Sequence, residues 1–380
     1  MPTNVRDATF ITRLSSTGTG PRLAVKDLID LAGTITTAGS LAVADTAVAA
    51  TADAPCLAGA RAAGARIVGK VNLHELAYGA DGINASFGTP VNPLDPTRCP
   101  GGSSSGSAVA VATDEADVAY GSDTGGSVRI PAACCGIVGL KTTWGRVSTE
   151  GVWPLAASLD TIGPMATTVA GVVLGMRLLE PGFTPAPTSP TVIGRLRPPG
   201  GPPVNPEIER AIDDALRAAE LEVIEIELDG WDAARRAAFS VLIAEAWRHD
   251  GSLLAREDRL TPGMGDRIRS GSAVTAEQER EAAAVKAVWL AELNAVFVRV
   301  QAIALPTLSD VAPPLDAPTS VAMGSATIAF NLSGSPALAV PLPLRGTQLM
   351  ASVQLVGPLS GEESLLTLGA RIESAAGIRR

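Results

Sequence analysis

Histidine is nearly missing from this chain, with only His74 and His249 among 380 residues. A serine hydrolase of the Ser–His–Asp kind needs an imidazole within hydrogen-bond reach of its nucleophile, so the shortage leaves few places for one. Cysteine is also scarce: Cys56, Cys99, Cys134 and Cys135 are too few for a disulfide scaffold, and the adjacent Cys134 and Cys135 are poorly placed to bond each other. Basic residues are outnumbered, giving a net charge of −9 and a pI near 4.9. That balance argues against nucleic acid or an anionic membrane as partner, because both need basic surface. No uninterrupted apolar run reaches membrane-spanning length, and "MPTNVRDATF" lacks the basic-then-apolar pattern of a signal peptide. A cytoplasmic setting is the expectation. No His/Cys/Asp/Glu grouping has metal-ligand spacing, so neither metal nor other cofactor is expected. Aromatics make up 3% of the chain, which points to an aliphatic pocket lining.

What the chain does have is glycine beside serine, in "RCPGGSSSGSAVAVA" (98–112) and "YGSDTGGSVRIPAACCGIVG" (120–139). Each opens at once into small apolar sequence, which a flexible linker would not do. "PRLAVKDLID" reads as a strand delivering Lys26 and Asp27 at its end, "TADAPCLAGARAAGA" as a helix, and "RIVGKVN" as a second strand. That order predicts α/β architecture with parallel pairing. "GSAVAVATDEA" reads as a small-residue helix, "DVAYGSD" as a strand and "SVRIPAACC" as a helix. Pro181 to Pro206 is a long connection interrupted by the strand "TVIGRLR". Asn205 before Pro206 and Thr275 before Gln278 mark two helix starts. "NLSGSPALAVPLP" reads as strand-like. The prediction is one α/β domain over residues 1–380, with a helix-rich insertion at about 205–300.

Three templates fit "GGSSSGS". A phosphate-binding loop fails because Ser107 stands where its lysine should be, leaving the phosphate charge uncountered. A nucleophile elbow centred on Ser104 must leave a strand, yet "NPLDPTRCP" carries three prolines. Its base would have to be His249, in charged helical sequence.

The third template is a family. "PGGSSSGSAVAVA", "GSDTGGSVRIPAACCGIVGLK" and the upstream "AVKD" resemble the amidase signature family, and "GKVNLHELAYG", "VNPLDP", "GRVSTEGVWPLAASLDTIGPM", "LPT", "FNLSGSPALAVP" and "VQLVGP" follow that family's order. The resemblance implies a three-layer α/β/α domain around a large mixed sheet, and an amidase releasing ammonia or an amine from a small-molecule amide. It implies a triad of nucleophile Ser127, bridging Ser103 after a cis Gly102–Ser103 bond, and base Lys26. Backbone N–H groups of Thr124, Gly125, Gly126 and Ser127 then face a single oxyanion. Ser104 either hydrogen-bonds Lys26 or serves the turn. Asp123 and Arg129 brace the nucleophile loop, Lys70 is a structural charge near the sheet edge, and Cys134 and Cys135 pack. An unperturbed lysine is neutral in only about 1 in 2,500 copies at pH 7, so Lys26 must be buried to act as a base. Ser105 and Thr142 depart from the family's usual residues. Lys26 also comes early, leaving little room for the N-terminal helices of many members; a monomer or homodimer is expected. The alternative is the glutamine-hydrolysing component of a tRNA-dependent amidotransferase complex.

Overall fold

Ala302, Ile303, Ala304 and Leu305 in one strand alternate between two separate apolar cores. Successive side chains of a strand point to opposite faces, so this sheet is covered on both sides. The computed structural model describes residues 8–15, 19–317 and 320–377. Residues 1–7, which open the stretch lacking a leader pattern, lie outside the described residues.

The strands are β1 (Phe10–Arg13), β2 (Arg22–Lys26), β3 (Arg66–Val71), β4 (Val118–Asp123), β5 (Val138–Lys141), β6 (Thr161–Ala166), β7 (Val192–Leu196), β8 (Glu222–Ile226), β9 (Ala302–Pro306), β10 (Ala337–Pro343) and β11 (Met350–Val356). They form one mixed 11-stranded sheet in the order β1-β3-β2-β4-β6-β5-β10-β11-β9-β7-β8. The predicted strand–helix–strand unit is present: β2 pairs in parallel with β3 and, on its other side, with β4. Helices Val169–Leu179, Pro206–Ala218 and Glu362–Ala375 cover one face, and Trp231–Asp250, Ala276–Phe297 and Ile328–Ser333 the other. The fold is thus the α/β class expected, with helices on both faces of a large mixed sheet.

Two local readings need correction. The 205–300 block carries four α-helices but also β8, which pairs in parallel with β7 and forms a sheet edge. Its strand belongs to the main sheet, where Ile226 is buried and Ile224 half-buried beside β7. "NLS" is the end of helix Ile328–Ser333, which Gly334 terminates in the left-handed region at φ +73°; the strand begins only at Ala337. Both predicted caps are present. Asn205 accepts from the Glu207 amide at 2.9 Å, and Thr275 with Gln278 closes a reciprocal capping box. Among the described residues, no helix is long and apolar enough to cross a membrane.

Candidate active site

Lys26 ends β2, and Ser122 and Asp123 end the neighbouring parallel strand β4. The carboxyl ends of adjacent parallel strands are where α/β sheets place ligands. Two loops converge there. One precedes helix Ser105–Ala112 and carries Ser103; the other joins β4 to helix Arg129–Cys135 and carries Ser127. Close packing explains the small residues of the first loop. A side chain at Gly102 would lie 2.6 Å from the Gly82 amide nitrogen, and one at Gly106 2.5 Å from that of Asn72. The Gly102–Ser103 bond is cis. The loop is fixed by Gly102 N–H donating to Ala80 O and His74 N–H donating to Ser103 O.

Lys26 is completely buried. Its Nζ donates to Ser103 Oγ at 2.7 Å and to Ser122 Oγ at 2.8 Å. Burial takes its pKa down to about 7, against the opposing charges of Asp123 and Asp160. The lysine therefore exchanges a proton near neutrality while touching the serine predicted to bridge it. Ser122 was missed in the sequence. Its signal was its position one residue before Asp123 at the end of a strand pairing with the lysine's own.

Ser127 is 8% exposed and lines a cavity of about 890 Å³. Lys26 and Ser103 lie behind it, outside the cavity lining. The two serine loops are tied by Ser104 N–H donating to Ser127 O at 3.2 Å. Ser127 Oγ makes no hydrogen bond among the described residues. The structure thus joins Lys26 to Ser103 directly and brings Ser127 alongside through the backbone. Ser104 serves the turn: its hydroxyl donates to Ser122 O at 3.3 Å and does not meet Lys26.

The four-donor oxyanion expectation is corrected by Asp123. Gly126 N–H donates to Asp123 Oδ1 at 2.9 Å and is not free to meet an oxyanion. The amides of Thr124, Gly125 and Ser127 carry no such bond. Asp123 Oδ2 also accepts from Val128 N–H at 3.1 Å and Arg129 Nε at 2.9 Å, while Arg129 Nη2 reaches Asp123 Oδ1 at 2.7 Å. Burial alone would raise this carboxyl, but the Arg129 charge and its hydrogen bonds outweigh it and hold Asp123 well below the usual range. Arg129 extends the brace to Gln354 Oε1 at 2.6 Å and Asn331 Oδ1 at 2.7 Å. The bracing role predicted for Asp123 and Arg129 is therefore a buried ion pair that shapes the Ser127 loop. Arg129→Met strips a buried carboxylate of its counter-charge and is expected to cost about 3–5 kcal/mol of stability. Urea unfolding measures this, and a loss below about 1 kcal/mol would contradict the brace.

Asp160 is a second residue that the sequence did not single out. It accepts from Thr124 Oγ1 at 2.5 Å and from the amides of Leu155 and Ala156. Burial raises it to about 6 despite these hydrogen bonds. It fixes Thr124 at the head of the Ser127 loop.

The rejected candidates lie elsewhere. Lys70 is fully buried on β3, its Nζ 2.8 Å from Asp27 Oδ1 and bonded to Thr36 Oγ1 at 2.6 Å; it meets neither serine. His74 Nδ1 bonds Asp81 at 2.9 Å. His249 pairs with Asp250 and packs edge-on to Trp153 at 4.9 Å while remaining exposed. Neither imidazole touches Ser127. Cys134 and Cys135 are buried thiols that desolvation pushes upward, in keeping with packing. Ser105 and Thr142 are buried, Thr142 Oγ1 donating to Ile162 O at 2.9 Å. Among the described residues, no three His, Cys, Asp or Glu side chains are grouped to hold a metal ion.

Known proteins resemble this chain in sequence and in fold. The Amidase family model matches residues 19–366, a span containing every residue of the site. The A subunit of the glutamyl-tRNA(Gln) amidotransferase of Thermus thermophilus is 36% identical, covering 93% of this chain and 84% of that protein. Its counterpart from Halobacterium salinarum is 35% identical, covering 93% and 95%. Among solved structures, one described as an amidase superposes with a TM-score of 0.85 at 31% identity, covering 94% of this chain and 85% of the other. The chain belongs to the amidase signature family and is an amide C–N hydrolase.

Proposed function

We propose that the chain cleaves its amide through a Ser127 acyl-enzyme, with Ser103 and Lys26 relaying the protons. The observation carrying this reading is the 2.7 Å contact of a buried Lys26 amine with Ser103, behind a serine that opens onto the cavity. Ser127 Oγ attacks the amide carbon as its proton passes to Ser103 Oγ, whose own proton passes to neutral Lys26. The oxyanion meets the free amides among Thr124, Gly125 and Ser127. The C–N bond then breaks, with Ser103 protonating the departing nitrogen and recovering a proton from Lys26. Water attacks the ester along the same path, releasing the carboxylate and restoring Ser127. Burial supplies what the relay needs, since an amine titrating near 7 is substantially neutral at physiological pH.

A narrower reading, hydrolysis of glutamine as the ammonia-releasing component of a tRNA amidotransferase, draws support from the names of the relatives. Partner subunits are then part of the working assembly. The free-standing amidase reading draws on the likeness to the amidase structure. Ammonia release from glutamine and from primary, anilide and aryl-acetamide substrates separates the two. Turnover of glutamine that rises on adding the partner subunits, with the other amides untouched, selects the complex; turnover of simple amides by the chain alone selects the amidase. No release from any amide would reject both.

A further inference from the structure

The cavity before Ser127 is walled partly by helices Trp231–Asp250 and Met264–Ser270. Three arginines line it, Arg235, Arg236 and Arg267, against two carboxylates, Asp232 and Asp266. Both carboxylates are already engaged by arginines, Asp266 by one that Glu257 shares. Asp232 accepts from Arg235 Nη1 at 2.9 Å, and Asp266 accepts at 3.0 Å from Arg269, which is not among the lining residues. Arg236 has no hydrogen bond or ion pair among the described residues. Arg267 is held at one end by the Tyr78 carbonyl, with its guanidinium 5.8 Å from the Tyr78 ring centre, and no carboxylate pairs with it among the described residues. Nε of Arg235 is buried and has no partner. The cavity therefore carries two guanidinium groups that no carboxylate pairs directly, Arg267 feeling the nearby charge of Asp81, and a spare N–H, in a lining that is otherwise largely apolar through residues such as Leu155, Leu242 and Ile328.

Building on the Ser127 reading, we propose that the substrate is an amide whose far end is a free carboxylate, bound by Arg236 and Arg267, with no ammonium required. A guanidinium offers a carboxylate paired, charge-assisted hydrogen bonds, and the apolar lining accommodates the methylenes between the two ends. An ammonium group would have to compete with an arginine for either lining carboxylate, with Arg235 at Asp232 and with Arg269 at Asp266. Arg267 is fixed by Tyr78 and supplies the pre-oriented half of the clamp; Arg236 is exposed and supplies the other.

The probes are monoamides of short dicarboxylic acids (succinamate, glutaramate, adipamate) and their diamides, which have the same shape without the charge. Their dissociation constants are measured by calorimetry on Ser127→Ala protein, which holds the amide without turning it over. At least one monoamide is expected to bind about tenfold or more tighter than its diamide. It is also expected to bind no more weakly than glutamine, and to lose its preference as salt rises from about 25 to about 500 mM. Arg236→Gln and Arg267→Gln each reduce the preference and together remove it, with thermal melting reporting that the fold is kept. Because Arg236 is exposed and bonds to no other described residue, its single variant carries the test if the double variant melts early. Diamides binding as tightly as monoamides, a preference that survives high salt and Arg236→Gln, or no binding of any monoamide would overturn the proposal. The Ser127 reading is judged separately, by turnover: hydrolysis that survives Ser127→Ala rejects that reading whatever the charge preference.

Discussion

Ser127→Ala is expected to lower kcat/KM by about 10⁴-fold or more, leaving only the residual acceleration that binding and oxyanion donors provide without a nucleophile. The folded state is expected to lose almost nothing, since Ser127 Oγ bonds to no described protein group and its removal leaves no polar partner unsatisfied. An unchanged melting temperature beside a collapsed rate separates a chemical role from a structural one. A loss of only a fewfold would mean that another atom attacks the carbonyl. Cys134 and Cys135 are poor substitutes because burial keeps their thiols protonated.

Lys26→Ala is expected to cost about 10³–10⁴-fold, the upper range for losing a general base. Lys26→Arg is expected to be no better, because a guanidinium stays charged and cannot accept the proton; recovery in the arginine variant would show that positive charge, not basicity, is what matters. The pH profile carries the same test. With a pKa of about 7, the active neutral amine makes up about a tenth of the population at pH 6 and about nine-tenths at pH 8. The rate should therefore climb about tenfold per unit below 7 and level off above it. Stability follows with a defined sign. The folded pKa lies below the ordinary value of 10.5, so between about 7 and 10.5 the unfolded chain binds the extra proton and stability rises with pH. Lys141, also lowered to about 7 by burial and by Arg129, contributes in the same direction. The difference between wild type and Lys26→Met isolates the Lys26 share.

Much of this site was legible because its chemistry is local in the chain. Lys26 ends a short apolar strand, and Ser103 and Ser127 stand in two glycine-rich turns only 24 residues apart. The turns had to be tight loops rather than linkers, as the contacts behind Gly102 and Gly106 explain. What escaped was set by distant packing. Asp160 reaches Thr124 across 36 residues, and Arg129 finds Gln354 and Asn331 more than 200 positions away. No period or motif encodes such pairings. The mistake over Gly126 was of another kind, since its signal was present. An aspartate commonly binds backbone amides just ahead of it, and Asp123 does so with Gly126 and Val128. β8 was absorbed into a helical block because its exposed glutamates obscure a strand that only β7 stabilises. The cavity arginines went unnoticed because helix sequence alone does not say which face meets a pocket.

The most direct measurement is peptide mass mapping after treatment with a fluorophosphonate, with the labelling rate followed across pH. A single adduct on the peptide containing Ser127, forming at a rate that rises through a midpoint near pH 7 and falls sharply in Lys26→Ala, is the predicted result. An adduct on any other residue, or labelling of Ser127 that ignores both pH and Lys26, would contradict the account.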